Sequence, residues 1–221
     1  MVNMNITANY LLNLIPKLIV LPFLLLSLSV HEFAHGYTAY KLGDNTAKNM
    51  GRLTLNPLAH LDPVGTVAMI FFSFGWAKSV PVNPYYFKNP KRGMAITALA
   101  GPVSNFLMAF VGTVAYVLYL RFADAYSSQI IYSFVYFIQV NLVLMAFNLI
   151  PFPPLDGSKL VYAVLSDKAY FKLMQYERFG ILAIILLSYL GFFSNYLSNA
   201  VSSVSSAMIN CIIKIFSLIG V

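Results

Sequence analysis

Long apolar segments separated by short polar ones dominate this chain and predict an all-α polytopic membrane protein. A bilayer core of roughly 30 Å needs about 20 apolar residues in a helix. Four segments reach that length: residues 18–40, 94–120, 130–150 and 179–197. A fifth, residues 200–221, is long enough, but the four serines within residues 202–206 and Lys214 leave open whether it spans the membrane or lies in the interface. The pattern therefore predicts four to five transmembrane helices.

A shorter apolar segment, residues 64–75, lies between the first and second predicted spans. As a helix of about 12 residues it would rise only about 18 Å, too little to cross a bilayer. If it is re-entrant, eleven of the fourteen basic residues lie on one side of the membrane, and the positive-inside rule makes that side cytoplasmic. If it crosses, this charge bias largely disappears. The re-entrant interpretation is therefore favoured.

The same charge distribution predicts the orientation of the chain. The N-terminal region has no Lys or Arg before Lys17, which is typical of an uncleaved signal anchor with the N-terminus outside. We expect a multi-pass protein of the cell membrane. The end of the first span, where the ionisable residues lie, is then nearer the cytoplasmic face.

Composition supports this class and excludes others. The chain of 221 residues is 59% hydrophobic and 10% charged, with a mean hydropathy of +0.74. The net charge of +7 comes without the clustered basic and aromatic residues of a nucleic-acid surface, so no nucleic-acid partner is expected. Cys211 is the single cysteine, which excludes an internal disulfide and a cysteine-based metal cluster. Without repeats or a long hydrophilic stretch, we expect one membrane domain over residues 1–221, with a core at about 10–165 and accessory helices at about 177–221.

A polar motif, HEFAH at residues 31–35, ends the apolar run of the first predicted span. In a helix, His31 and His35 lie one turn apart on the same face, so both imidazoles can reach one metal ion. Glu32, next to the first imidazole, can take a proton from a water molecule near the ion without binding the metal itself. The motif lies ten residues before Lys41, about 15 Å of helix, and ionisable groups at such a depth indicate function.

A catalytic zinc ion takes three protein ligands, so a third is needed. The remaining residues with suitable side chains are His60, Asp44, Asp62, Asp124, Asp156, Asp167 and Glu177. Asp156 is favoured because the prolines of FNLIPFPPLDG end the third span and turn the chain at about the depth of His31. His60 remains the competing ligand, although Asn-Pro and Asp-Pro on either side of it indicate turns.

Three blocks in this order resemble one family. They are HEFAH, GPVSN at residues 101–105 and FNLIPFPPLDG at residues 147–157, joined by a connector, GWAKSVPVNP, at residues 75–84. Together they resemble the site-2 protease family of intramembrane zinc metalloproteases. The resemblance implies a catalytic core made of the first three spans, with strand or re-entrant pieces between residues 42 and 89 beside the site.

The resemblance also assigns roles to residues. His31, His35 and Asp156 would bind one zinc ion per chain, Glu32 would be the general base, and Asn148 matches the family's active-site asparagine. Asn105, in the second block, is expected to contact either substrate or a neighbouring loop. Three small residues at four-residue intervals, Gly93, Thr97 and Gly101, are interpreted as a packing stripe.

The implied activity is hydrolysis of a peptide bond in or near a transmembrane segment of a membrane-protein substrate, as in regulated intramembrane proteolysis. No PDZ-like or CBS-like regulatory domain fits in these residues. Two alternatives stay open. A metal-ion transporter should carry polar groups on several spans, and the second and fourth are nearly devoid of ionisable residues. A catalytically inactive membrane-binding homologue would not need Glu32.

Overall fold

A computed structural model describes residues 2–72, 75–166, 168–169, 172, 175 and 177–218, with side-chain surroundings left out at residues 2–19, 69–72 and 177–178. The described residues form α-helices and short 3-10 turns. The helices are α1 (Val2–Lys41), α2 (Thr46–Asn49), α3 (Pro63–Phe72), α4 (Pro90–Phe122), α5 (Ser128–Asn148), α6 (Asp156–Tyr162), α7 (Glu177–Tyr189) and α8 (Ser194–Leu218). The predicted all-α class is confirmed.

Three helices in the described part of the chain are long and apolar enough to cross a membrane: α4, α5 and α8. This count is lower than the predicted four to five. The first predicted span, residues 18–40, is helical throughout as part of α1, but it is not one of the three. Its first two residues lie outside the part of the chain with described side chains, and its second half carries the HEFAH motif.

The predicted span at residues 179–197 is wrong. Helix α7 ends at Tyr189 after 13 residues, a rise of about 20 Å that is too short to cross alone. Gly191 follows in the left-handed region with a φ of 73°, and the amide of Phe192 donates to the carbonyl of Leu187. This is a common way for a helix to end. Hydropathy alone missed the stop, because apolar residues continue through the turn.

Residues 200–218 of the fifth predicted segment, in contrast, belong to a long helix. Helix α8 has 25 residues and packs against α5 and α4. The hydroxyl of Tyr196 donates to the carbonyl of Ala146, while Met208 joins a cluster with Ile138 and Leu142. Since a later residue of α8 meets an earlier one of α5, the two helices run antiparallel, side by side.

The three-helix core has α4 at its centre, in contact with both α1 and α5, which also touch each other. Helix α4 begins where the Asn89 side chain accepts from the amide of Arg92 and Pro90 takes the first position. A methyl group at Gly112 would lie 2.8 Å from the Phe137 ring, so this glycine allows α4 and α5 to approach closely. The short helix α6 also packs on α4, which brings the chain after α5 back to the core.

The region between α1 and α4 contains no strand among its described residues, so the expected strand pieces are absent there. Its helix α3 is flanked by an isolated antiparallel bridge between Leu61 and Ala77, and the amide of Lys78 donates to the carbonyl of His60. The two chain ends around α3 therefore meet. A re-entrant segment requires this arrangement, whereas a spanning one would hold its ends on opposite sides.

Candidate metal centre

The two histidines of HEFAH lie one turn apart near the C-terminal end of α1. Both are buried, and their rings make an edge-to-face contact with centroids 4.6 Å apart. The Nε2 atom of His35 lies 3.0 Å from the Nε2 atom of His31. The helix therefore directs both imidazoles to one point, as their spacing predicts.

Asp156 reaches the same point from the start of α6. Its Oδ2 atom lies 3.1 Å from Nε2 of His31 and 3.0 Å from Nε2 of His35. Gly157 permits this approach, because a methyl group there would lie 2.4 Å from the carbonyl oxygens of both Leu149 and Ile150. The proline-rich turn thus folds tightly against the end of α5 and presents the carboxylate to α1.

The Nδ1 atoms of both imidazoles, which point away from Asp156, lie next to hydrogen-bond acceptors. Nδ1 of His35 lies 2.7 Å from the carbonyl oxygen of Thr97, and Nδ1 of His31 lies 2.6 Å from Oδ1 of Asn105. A carbonyl oxygen can only accept, so each Nδ1 carries the proton and donates it. In the neutral imidazole, Nε2 is then a bare lone pair.

Two lone pairs and a carboxylate oxygen thus converge within 3.0–3.1 Å without a proton to share between them. Such a set of acceptors is unfavourable unless a cation lies among them. Tetrahedral zinc with bonds of about 2.0–2.1 Å separates its ligand atoms by about 3.3 Å, close to the observed spacing. The donor set of His31, His35 and Asp156 therefore fits a metal ion, and among the described residues it is the one group that does.

Helix α4 forms the wall behind the imidazoles. A methyl group at Gly101 would lie 2.3 Å from Nε2 of His35 and 2.6 Å from Nε2 of His31. Thr97, one turn earlier, supplies the carbonyl that orients His35. The interpretation of these residues as a packing stripe is therefore incomplete, since two of them contact the histidines. Their small size allows α4 to lie directly against the candidate site.

Glu32 lies in the same cavity, which has a volume of about 180 Å³ and is also lined by His31, His35 and Asp156. Its carboxylate is buried, and its Oε2 atom accepts a 2.8 Å hydrogen bond from the amide of Val80. The extended segment after α3 therefore holds this carboxylate beside the three converging side chains.

Asn148 also lines the cavity, from the last position of α5. Its Nδ2 atom donates to the carbonyl of Leu144, one turn back in its own helix. The structure thus brings Asn148 to the site with Glu32, as the resemblance implied. Its role in the reaction stays a prediction.

His60, the competing ligand, lies elsewhere. It is buried in the 3-10 turn before α3, and its Nε2 atom donates to the carbonyl of Thr54 at 2.8 Å. Its side chain belongs to no group that could hold a metal within the described part of the chain. Its Nε2 atom is engaged with backbone, and its Nδ1 atom, which is buried without a hydrogen-bond partner, lies in no group of candidate ligands among the described residues, so a structural role is indicated.

The other acidic candidate ligands belong to no metal-binding group in the described part of the chain. Both oxygens of Asp44 accept backbone amides, from Thr46 and Asn83. Asp62 accepts the amide of Gly65 at the start of α3. Asp124 belongs to no metal-binding group. Asp167 and the side chain of Glu177 lie outside the described residues.

Sequence reasoning missed the contacts of three polar residues. Asn105 contacts His31, and its Nδ2 atom donates to Oδ1 of Asn141. Lys159 places its Nζ atom 3.4 Å from Oδ1 of Asp156, the oxygen that faces away from the imidazoles. The available signal was the presence of uncharged but strongly polar asparagines inside apolar spans.

Comparison with known proteins agrees with this geometry. A profile of Peptidase family M50 matches residues 112–190. The "Putative zinc metalloprotease YwhC" of Bacillus subtilis is 42% identical over 182 residues, 80% of this chain and 82% of the relative. The "Putative zinc metalloprotease Rip2" of Mycolicibacterium smegmatis is 29% identical over 174 residues, 74% of this chain and 63% of the relative.

A third relative, the "Zinc metalloprotease MJ0392" of Methanocaldococcus jannaschii, is 32% identical over 149 residues, which cover 66% of this chain and 34% of the relative. No solved structure shows a significant match. The extent of identity to the Bacillus protein, together with the matching profile, shows that this chain belongs to peptidase family M50, the site-2 protease family.

Proposed function

We propose that this protein is an intramembrane zinc endopeptidase that hydrolyses a peptide bond in or near a transmembrane segment of another membrane protein. The observation that carries the proposal is the convergence of three unprotonated acceptors, from His31, His35 and Asp156, with the carboxylate of Glu32 in one cavity. The names of the relatives and the apolar helices around the site support the same conclusion.

In this proposal His31, His35 and Asp156 hold one zinc ion per chain. When bound, zinc would supply Lewis-acid polarisation of a peptide carbonyl and of a water molecule at neutral pH. The donor set carries one negative charge, since the two imidazoles are neutral and the carboxylate is ionised, so the site with Zn²⁺ bound would have a net charge of +1. Lys159 uses the second oxygen of Asp156, which leaves Oδ2 directed at the site.

Glu32 would act as the general base. Its Oε2 atom is fixed by the amide of Val80, which holds the carboxylate at the cavity and leaves the other oxygen to take a proton from water. The same carboxyl group then gives that proton to the leaving amine. Asn148, which also lines the cavity, would bind the substrate carbonyl through its side chain.

The substrate class is inferred from the helices that form the site. Because these belong to a membrane protein, we expect the peptide to reach the site from the bilayer. A peptide bond inside an intact helix is shielded by its own hydrogen bonds. The substrate segment must therefore unwind locally before hydrolysis. Transmembrane proteins and the lipid bilayer are the expected partners.

The general-base role is tested by Glu32→Gln, with Glu177→Gln as the matched control because Glu177 is the other glutamate of the chain. We expect Glu32→Gln to abolish cleavage of co-expressed membrane substrates while the purified variant keeps about one zinc per chain, since the base is not a ligand. The control should cleave normally. Loss of zinc together with activity in Glu32→Gln would show that Glu32 is a ligand instead.

The proposed orientation places the active site nearer the cytoplasmic face of the cell membrane, with the N-terminus outside. Single cysteines at Lys48→Cys and Lys88→Cys, in a Cys211→Ser background, flank the re-entrant α3 and should both react from the cytoplasm. Asp124→Cys, between α4 and α5, should react from outside. Reaction of the first two positions from opposite sides would refute the re-entrant topology.

A further inference from the structure

Two asparagines connect the candidate metal centre to the interior of the helix bundle. Asn105 on α4 and Asn141 on α5 are both fully buried. Asn105 lies between His31 and Asn141, at 2.6 Å from the first and 3.0 Å from the second. The contacts therefore run across all three core helices, α1, α4 and α5.

The direction of these hydrogen bonds is set by backbone carbonyls, which can only accept. Nδ2 of Asn141 lies 2.9 Å from the carbonyl oxygen of Phe137, so this nitrogen donates and Oδ1 of Asn141 is left to accept. Nδ2 of Asn105 donates to that oxygen and, at 3.3 Å, to the carbonyl of Ser27. The carbonyls of Phe137 and Ser27 therefore both require that Asn105 direct its side-chain nitrogen towards Asn141 and its side-chain oxygen towards His31.

The remaining atom, Oδ1 of Asn105, must then accept from Nδ1 of His31. This fixes the proton of His31 on Nδ1 and leaves Nε2 free to bind metal. The imidazole of His35 is fixed by a single backbone carbonyl, that of Thr97. His31 instead depends on a side chain whose orientation is itself imposed from another helix.

We propose that Asn105 and Asn141 are positioning residues that hold His31 in the tautomer and ring orientation required for zinc binding, with the direction of donation set by the carbonyls of Phe137 and Ser27. The inference rests on the proposed zinc site but not on proteolysis. Asn105 acts directly on His31, and Asn141 acts through Asn105. Loss of the first should therefore have the larger effect.

The test is the zinc affinity of the purified protein, measured by competition with a chelator. Loss of a residue that supports a metal ligand typically weakens affinity 10- to 100-fold. We expect Asn105→Leu to fall in that range and Asn141→Leu to lose several-fold. Asn105→Asp keeps an acceptor for Nδ1 of His31 but loses the donations of Nδ2 to Asn141 and Ser27, so its affinity should fall less than tenfold.

Thr113→Ala is the matched control. Thr113 is buried on the same helix, but its hydroxyl donates only to the carbonyl of Ala109 in that helix. Its zinc affinity should equal that of wild type, even if its unfolding temperature falls. The visible absorption of the cobalt-loaded proteins provides a second readout, because its intensity reports ligand geometry. It should change in Asn105→Leu and not in Thr113→Ala.

Wild-type affinity in Asn105→Leu would overturn the proposal. If that variant does not fold, Asn105→Asp decides: an affinity lowered more than tenfold would show that the acceptor at this position is not what supports His31. A wild-type zinc affinity in Asn141→Leu would show that Asn141 does not support His31 through Asn105. A wild-type protein that binds zinc but cleaves nothing would refute the proteolytic function and leave this inference intact.

Discussion

Buried histidines occur in two regions of this protein, and their surroundings differ. At the candidate metal centre, His31 and His35 donate through Nδ1, and their Nε2 atoms face each other and Asp156. In the loop before α3, His60 donates through Nε2 to the carbonyl of Thr54. All three side chains are buried, so burial does not distinguish them. What distinguishes a candidate ligand is a lone pair directed at other acceptors.

The largest difference between the two regions should appear when each loses an imidazole. We expect His35→Ala to weaken zinc binding more than about 100-fold, beyond the cost of losing a supporting residue, and to abolish cleavage. His60→Ala should keep its zinc and its activity. Zinc content and cleavage of the two purified variants check this. Metal loss in His60→Ala would reverse the assignment.

His60→Ala should nevertheless lose stability, because the buried imidazole and its hydrogen bond to the half-buried carbonyl of Thr54 are lost. Loss of one such hydrogen bond costs about 0.5–1.5 kcal/mol. Thermal unfolding of the metal-free protein in detergent measures this separately from zinc binding. A variant as stable as wild type would show that the contact with Thr54 contributes little.

Asp156→Asn sharpens the comparison by changing a charge with little change of shape. If Asp156 is the third ligand, zinc affinity and cleavage should fall together, by at least about tenfold, because the amide is a weaker ligand than the carboxylate. If the side chain only supports the turn before Gly157, Asn should be tolerated, since it keeps turn hydrogen bonds. Full activity in this variant would exclude it as a ligand.

Two glycine substitutions on α4 distinguish a contact with the metal site from ordinary helix packing by their effect on zinc affinity. Gly101→Ala would place a methyl group against both Nε2 atoms, so the imidazoles must shift and zinc binding should weaken. Gly112→Ala, on the same helix, crowds the Phe137 ring instead. It should cost about 1–3 kcal/mol of stability, as overpacking does, and leave zinc affinity unchanged. Equal zinc affinities in the two variants would contradict the role given to Gly101.

The sequence predicted the all-α class from the length of its apolar segments. The three-helix core was implied by the family resemblance, and the meeting of HEFAH with Asp156 by that resemblance together with the proline-rich turn. The sequence did not predict the end of α7 at Tyr189, since hydropathy does not register a left-handed glycine. The contributions of Gly101 and Asn105 were also missed. Both depend on which face of α4 lies against α1, and that is decided by packing between residues distant in the sequence.

The central claim is that two imidazoles and one carboxylate bind the zinc ion, and X-ray absorption at the zinc edge of the purified, zinc-loaded protein tests it most directly. We predict two imidazole ligands and one carboxylate ligand at about 2.0–2.2 Å, with the same spectrum in His60→Ala. Three imidazoles in the wild type, falling to two in His60→Ala, would make His60 the third ligand and contradict the account.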